Sequence, residues 1–157
     1  MAIQPNIARL KSLLKHEAKD SSGGMGIRLK IKALTAATTV TTDQCGTLFT
    51  LGTAGGFAVV LPNAADCGPG WWCRFTVKVA PTTAYTVDAS SGDGNNVHGI
   101  VVSAEQAAAD STVGTATDTI TFVANKAHIG DFIELWTDGS RWYAVAYASE
   151  QDGITYS

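Results

Sequence analysis

The stretch Phe132-Ile133-Glu134-Leu135-Trp136-Thr137-Asp138-Gly139-Ser140-Arg141-Trp142-Tyr143 decides the class of fold. Two runs rich in aromatic and branched side chains flank Asp-Gly, the strongest short signal for a tight antiparallel hairpin. With Asp138 and Gly139 as a two-residue loop, Leu135 faces Trp142, and Trp136 faces Arg141 within reach of a cation–π contact. Apolar groups then fall on both faces of the hairpin, so both faces need cover. A second sheet is expected on one side and a neighbouring subunit on the other, which makes Trp136 and Tyr143 candidates for a subunit interface.

Working outward, Arg74-Phe75-Thr76-Val77-Lys78-Val79 alternates with Phe75, Val77 and Val79 on the inner face. Other short runs bounded by turn residues read as strands at 38–41, 47–51, 57–61, 73–79, 85–89, 97–102 and 119–123, beside 132–137 and 142–147. A period of two also covers 27–32, where Ile27, Leu29 and Ile31 share one face and Arg28, Lys30 and Lys32 the other. The expectation is an all-β domain over 27–157, a compact sandwich or barrel of about 8 to 10 short, mostly antiparallel strands. Residues 103–118, rich in Ala, Ser and Thr, are expected to be its least ordered part.

Residues 1–26 read differently. Pro5 opens a segment in which Ile7, Leu10, Leu13 and Leu14 recur at helical spacing, with Arg9, Lys11, Lys15 and His16 elsewhere around the wheel. The helix is expected to end near Lys19 or Asp20, and the three glycines within 23–26 form a hinge. A helix of this length is marginal alone, so it is expected to order against a partner. Residues 1–32 hold seven basic and two acidic side chains, a net of +5, whereas the remainder holds four basic and twelve acidic, a net of −8. A basic arm on an acidic body points to an anionic surface as its target, be it protein, nucleic acid or membrane. The acidic body argues against nucleic acid, whose phosphates it would repel.

The whole chain has 157 residues, 16.4 kDa, and only 16% charged side chains against about 25% in ordinary domains, which disfavours coiled coils and charge-rich disorder. It carries no run of about 18 apolar residues that would span a membrane, and its N-terminus lacks the apolar core of a secretory signal. Of the three cysteines, Cys67 and Cys73 could bridge only in an oxidising medium; reduced thiols are expected.

No phosphate loop, dinucleotide fingerprint, nucleophile elbow or zinc-protease helix occurs. His16, His98 and His128 stand in unrelated contexts, and the cysteines and histidines lack zinc-ligand spacing. Asp88 and Gly92-Asp93-Gly94-Asn95-Asn96 offer oxygen ligands for calcium without the order of an EF-hand, and turn chemistry accounts for them equally. The expectation is a protein without catalytic residues, cofactor or metal. Trp71-Trp72, following Gly68-Pro69-Gly70, suits three roles: a plug at the end of the fold, a subunit-interface anchor or a sugar platform.

Three segments in order, Phe57-Ala58-Val59-Val60-Leu61-Pro62, Gly70-Trp71-Trp72-Cys73-Arg74-Phe75-Thr76-Val77-Lys78 and the stretch from Gly130 to Tyr143, resemble a β module of bacteriophage virion proteins. The likeness covers about 47–147 and is shared by head decoration (cement) proteins, head fibres and tail fibres. It implies a structural protein of the virion, commonly a homotrimer. The short chain and basic arm place it with the decoration proteins, on the outer surface of the capsid, with the major capsid protein as partner. Capsid-contact candidates are Ile7, Arg9, Leu10, Lys11, Leu14, Lys15, Lys19, Arg28, Lys30 and Lys32; interface candidates are Trp71, Trp72, Trp136 and Tyr143. The alternative is a host-recognition module of a head or tail fibre that binds a surface glycan.

Overall fold

The computed structural model describes residues 29–89, 97–105 and 113–157. The expected N-terminal helix and hinge, the candidates from Ile7 to Arg28, and the Gly92-to-Asn96 run lie outside the described residues. The described chain is a two-sheet β-sandwich. Seven strands form one sheet in the order β1 (Lys30–Leu34), β3 (Thr47–Leu51), β5 (Trp72–Val77), β10 (Phe132–Thr137), β11 (Trp142–Ala148), β7 (Val97–Ser103) and β8 (Val113–Thr117). Five form the other: β12 (Ile154–Tyr156), β9 (Thr119–Phe122), β6 (Tyr85–Asp88), β4 (Ala58–Val60) and β2 (Thr38–Thr39). A one-turn helix at Ala64–Cys67 joins β4 to β5, with Asn63 Oδ1 accepting from Ala65 N at 3.1 Å.

The first six strands alternate between the sheets, so the chain winds as a coil. β1, β3 and β5 become parallel neighbours on one side, and β2, β4 and β6 on the other. Parallel strands need a long crossover, usually helical, and here the crossover is a strand of the opposite sheet. Parallel pairs are therefore as common as antiparallel ones, where mostly antiparallel pairing was expected. A sequence pattern of period two reports which face a residue takes and carries no information on strand direction.

The core lies between the sheets. Phe49 stacks on Phe75 with centroids 4.9 Å apart, and Leu51, Val77, Ile133, Leu135 and Trp142 extend that inner face. Val59, Tyr85, Val87, Ile120, Phe122 and Ile154 meet it from the five-stranded sheet, all fully buried. Thr47, at the start of β3, is buried with them and its hydroxyl makes no hydrogen bond. Thr47→Val keeps the branched shape while removing the orphaned hydroxyl. It is expected to raise the unfolding free energy by about 1 kcal/mol, read as an upward shift of the urea midpoint; a drop would show that the hydroxyl has a partner.

The final hairpin departs from the expected register. Thr137 pairs with Trp142, Trp136 with Tyr143 and Leu135 with Ala144, so the loop is 138–141 rather than Asp138-Gly139 alone. The Asp138 carboxylate explains the longer loop, since its Oδ1 accepts from Ser140 N (2.8 Å), Ser140 Oγ (2.8 Å) and Arg141 N (3.0 Å). The shift is two residues, which changes partners but keeps each side chain on its face. Leu135 and Trp142 remain buried, while the expected Trp136–Arg141 contact is replaced by Trp136 stacked on Tyr143.

The alternation in β1 divides its side chains as expected, and the structure puts the side of Lys32 and Leu34 toward the core and leaves Leu29 and Ile31 exposed, Ile31 at 69%. Trp71 is a core residue and no interface candidate: 4% exposed, it meets Trp142 edge-on at 5.4 Å and donates its Nε1–H to Thr42 O at 2.7 Å, plugging the end of the sandwich. Of 103–118, expected to be least ordered, residues 106–112 lie outside the described residues, and the described part contains β8. That strand is rich in Gly, Thr and Ala and draws its order from outside itself, pairing with β7 and lying under the Tyr156 ring. A Cβ on Gly114 would stand 2.6 Å from that ring, so only glycine admits the contact.

Candidate functional site

The outer face of the seven-stranded sheet collects the candidate residues that the core does not absorb. Alternation fixes its membership, since each strand sends every second side chain outward. One row across the sheet reads Ile31, Leu48, Arg74, Glu134, Val145, Ile100, each the register partner of the next. A second reads Trp72, Trp136, Tyr143, His98, and a third Thr50, Thr76, Phe132, Tyr147, Val102.

Within these rows the rings stack on one another. Phe132 and Tyr147 lie 4.9 Å apart at 25°, Trp136 and Tyr143 lie 6.0 Å apart at 21°, and His98 lies 6.5 Å from Tyr143. The Arg74 guanidinium covers the Phe132 ring at 4.6 Å. Arg74 also donates its Nε–H to Glu134 Oε2 at 3.1 Å, and its Nη2 bonds to the same oxygen. This half-exposed pair lies in a shallow depression with Phe132, Trp136, Val145 and Tyr147.

Asp138 fastens one end of the face, accepting from the Tyr143 hydroxyl at 3.0 Å. The Ser140 and Arg141 donors hold the Asp138 carboxyl well below the usual carboxylate range, and donation to that carboxylate pushes the Tyr143 hydroxyl up. Despite this lining, Trp136 remains 39% exposed and Tyr147 46%.

Trp72, Trp136 and Tyr143 thus meet on one surface as interface candidates. Phe132, Tyr147, Arg74 and Glu134 belong with them and were missed. Their signal was the shared parity of Phe132, Glu134 and Trp136 along one strand. Lys30 and Lys32 point to the other side of β1, where their charges reach Asp43.

Other polar groups bond within the fold. Asp131 is buried and accepts from His128 N (2.9 Å), Ser149 N (2.9 Å) and Ser149 Oγ (2.5 Å). The His128 ring turns away to Glu150 Oε2 at 3.0 Å, so serine and aspartate bond directly, with no imidazole between them to relay a proton. Cys45, Cys67 and Cys73 are free thiols. Burial pushes the Cys67 thiol up to about 11 and Cys73 well above its ordinary value, which keeps both protonated near neutrality and unreactive. Among the described residues no group of three His, Cys, Asp or Glu side chains converges on a metal position, and no helix is long and apolar enough to cross a membrane.

Fold and surface together define a two-sheet β-sandwich with one open aromatic face. Comparison with protein-family models, curated proteins and solved structures finds no match to this chain.

Proposed function

We propose that this chain is a non-enzymatic structural protein of a bacteriophage virion, a decoration protein that binds the outside of the assembled head. The observation that carries the reading is the outer face itself. A monomeric soluble protein rarely leaves so continuous an aromatic and aliphatic surface open, and such surfaces mark assembly. The order of motifs from Phe57 to Tyr143, shared in outline with virion β modules, supplies the context. The charge division adds the means of attachment: Arg9, Lys11, Lys15 and Lys19 can meet capsid carboxylates while Ile7, Leu10 and Leu14 bury in a groove of the shell. A ligand that binds only the intact shell stabilises it by mass action against the pressure of packaged DNA.

Deleting residues 1–26 leaves every described strand in place, the first starting at Lys30. The truncated protein is expected to keep its β fold by circular dichroism and to lose binding to purified heads. Heads without the protein are expected to release DNA at lower temperature. Full occupancy by the truncated protein would overturn the role of the arm. Particles that lack the protein, stay equally robust and fail to adsorb to cells would replace decoration with host recognition.

A further inference from the structure

We infer that the outer face of the seven-stranded sheet is the surface on which a second copy of this chain docks, face to face about a two-fold axis. The inference rests on the sheet alone and not on the capsid reading. Among the described residues seven large apolar side chains are exposed: Leu29, Ile31, Ile100, Val102, Ile129, Trp136 and Tyr147. Ile31, Ile100, Val102, Trp136 and Tyr147 belong to this face by register, and Leu29 precedes Ile31 by two residues, leaving Ile129 isolated. A ring of three needs two different patches that fit each other, whereas a two-fold contact uses one patch twice. One patch is what the described surface offers.

The charges at its centre suit the same symmetry. Arg74 spends Nε and Nη2 on a single oxygen of Glu134, so among the described residues Nη1 and Glu134 Oε1 have no partner. An axis running between β5 and β10 brings Arg74 over Glu134 of the second copy and Glu134 over its Arg74. Each free donor then meets a free acceptor, as an ion pair entering an interface requires.

Size is adequate. Seven strands about 4.8 Å apart and five to seven residues long at about 3.3 Å each cover roughly 650 Å² per copy. Two such faces bury roughly 1,300 Å², near the lower bound of stable interfaces. The rings add apolar area to that patch: Phe132 packs against Arg74 and Tyr147, Tyr143 against Trp136, and Trp136 and Tyr147 stay 39% and 46% exposed.

The test is the mass of the full-length protein in solution by light scattering, with two charge reversals. Wild type is expected at about 33 kDa, twice 16.4 kDa, at micromolar concentration. Arg74→Glu and Glu134→Arg each oppose like charges across the axis and are expected to weaken the dimer at least about 100-fold. Mixing the two variants is expected to restore a dimer, because an all-acidic centre then faces an all-basic one; a purely intramolecular role for the pair predicts no such rescue. If either variant does not fold, Tyr147→Asp on the exposed part of the face serves instead and is expected to give monomers. A wild-type monomer or trimer, or variants that neither dissociate alone nor pair on mixing, would overturn the inference.

Discussion

Replacing Trp142 by alanine is expected to lower the unfolding free energy by about 3 to 5 kcal/mol, the range for emptying a large aromatic site in a core. Trp142 is fully buried, pairs with Thr137 of β10 and Val97 of β7, and packs edge-on against Trp71. Its loss undercuts Trp71, which closes that end of the sandwich through its bond to Thr42. Collapse around the void is resisted because Trp71 is tied by that bond and the neighbouring strands are paired on both sides. The indole Nε1 of Trp142 is buried without an acceptor, so Trp142→Phe removes an unsatisfied donor along with part of the ring. It is therefore expected to cost about 1 to 2 kcal/mol, clearly less than alanine. Urea titration with both variants reads the ordering directly, and equal losses would show that the indole nitrogen is paired.

Gly56→Ala is expected to cost about 2 to 5 kcal/mol, combining left-handed backbone strain with a forced displacement of main chain. Gly56 has φ +63°, and a Cβ there would stand 2.1 Å from Thr83 O and 2.3 Å from Ala84 O. Those carbonyls cannot yield as a side chain would. Thr82 and Thr83 donate their amides to Ala54 O at 2.7 and 3.2 Å, locking the turn before β4 to the turn before β6. Tyr85 adds to the lock, accepting from Thr53 N and donating to Val79 O. The two turns belong to successive rungs of the coil, so the strain falls where the parallel strands are held in step. Gly55→Ala is the control: its Cβ would meet nothing within 4 Å, and it is expected to change stability by less than about 1 kcal/mol. Similar urea midpoints for the two variants would contradict this account.

Strand positions and burial were legible because alternation is a local property. Thr47–Leu51 and Phe132–Thr137 fall where the sequence places them, and the Trp142 run differs only at its end. Apolar groups on both parities of the final hairpin also put Trp136 and Tyr143 together on the face away from the second sheet. Two strands left no readable mark: β8 with its Gly and Ala, and the three-residue β12. Neither contains enough alternation to stand apart from a loop.

By itself the sequence determined that the chain is β-structured after its basic arm, which side chains of the main strands share a face, and that a hairpin turns near Asp138. Only the tertiary structure decided which strands are neighbours and in which direction they run. A period of two is the same for parallel and antiparallel strands, and the coil from β1 to β6 is set by contacts between residues far apart in sequence. Tertiary contact also assigned the two adjacent tryptophans to opposite fates. Trp71 and Trp72 are equally apolar, yet β5 begins at Trp72 and sends it outward, leaving Trp71 to turn in against Trp142. The same contacts gave β1 its inner side. Ile31 faces outward because parallel pairing aligns Lys32 and Leu34 with the buried Phe49 and Leu51, and one register serves the whole strand.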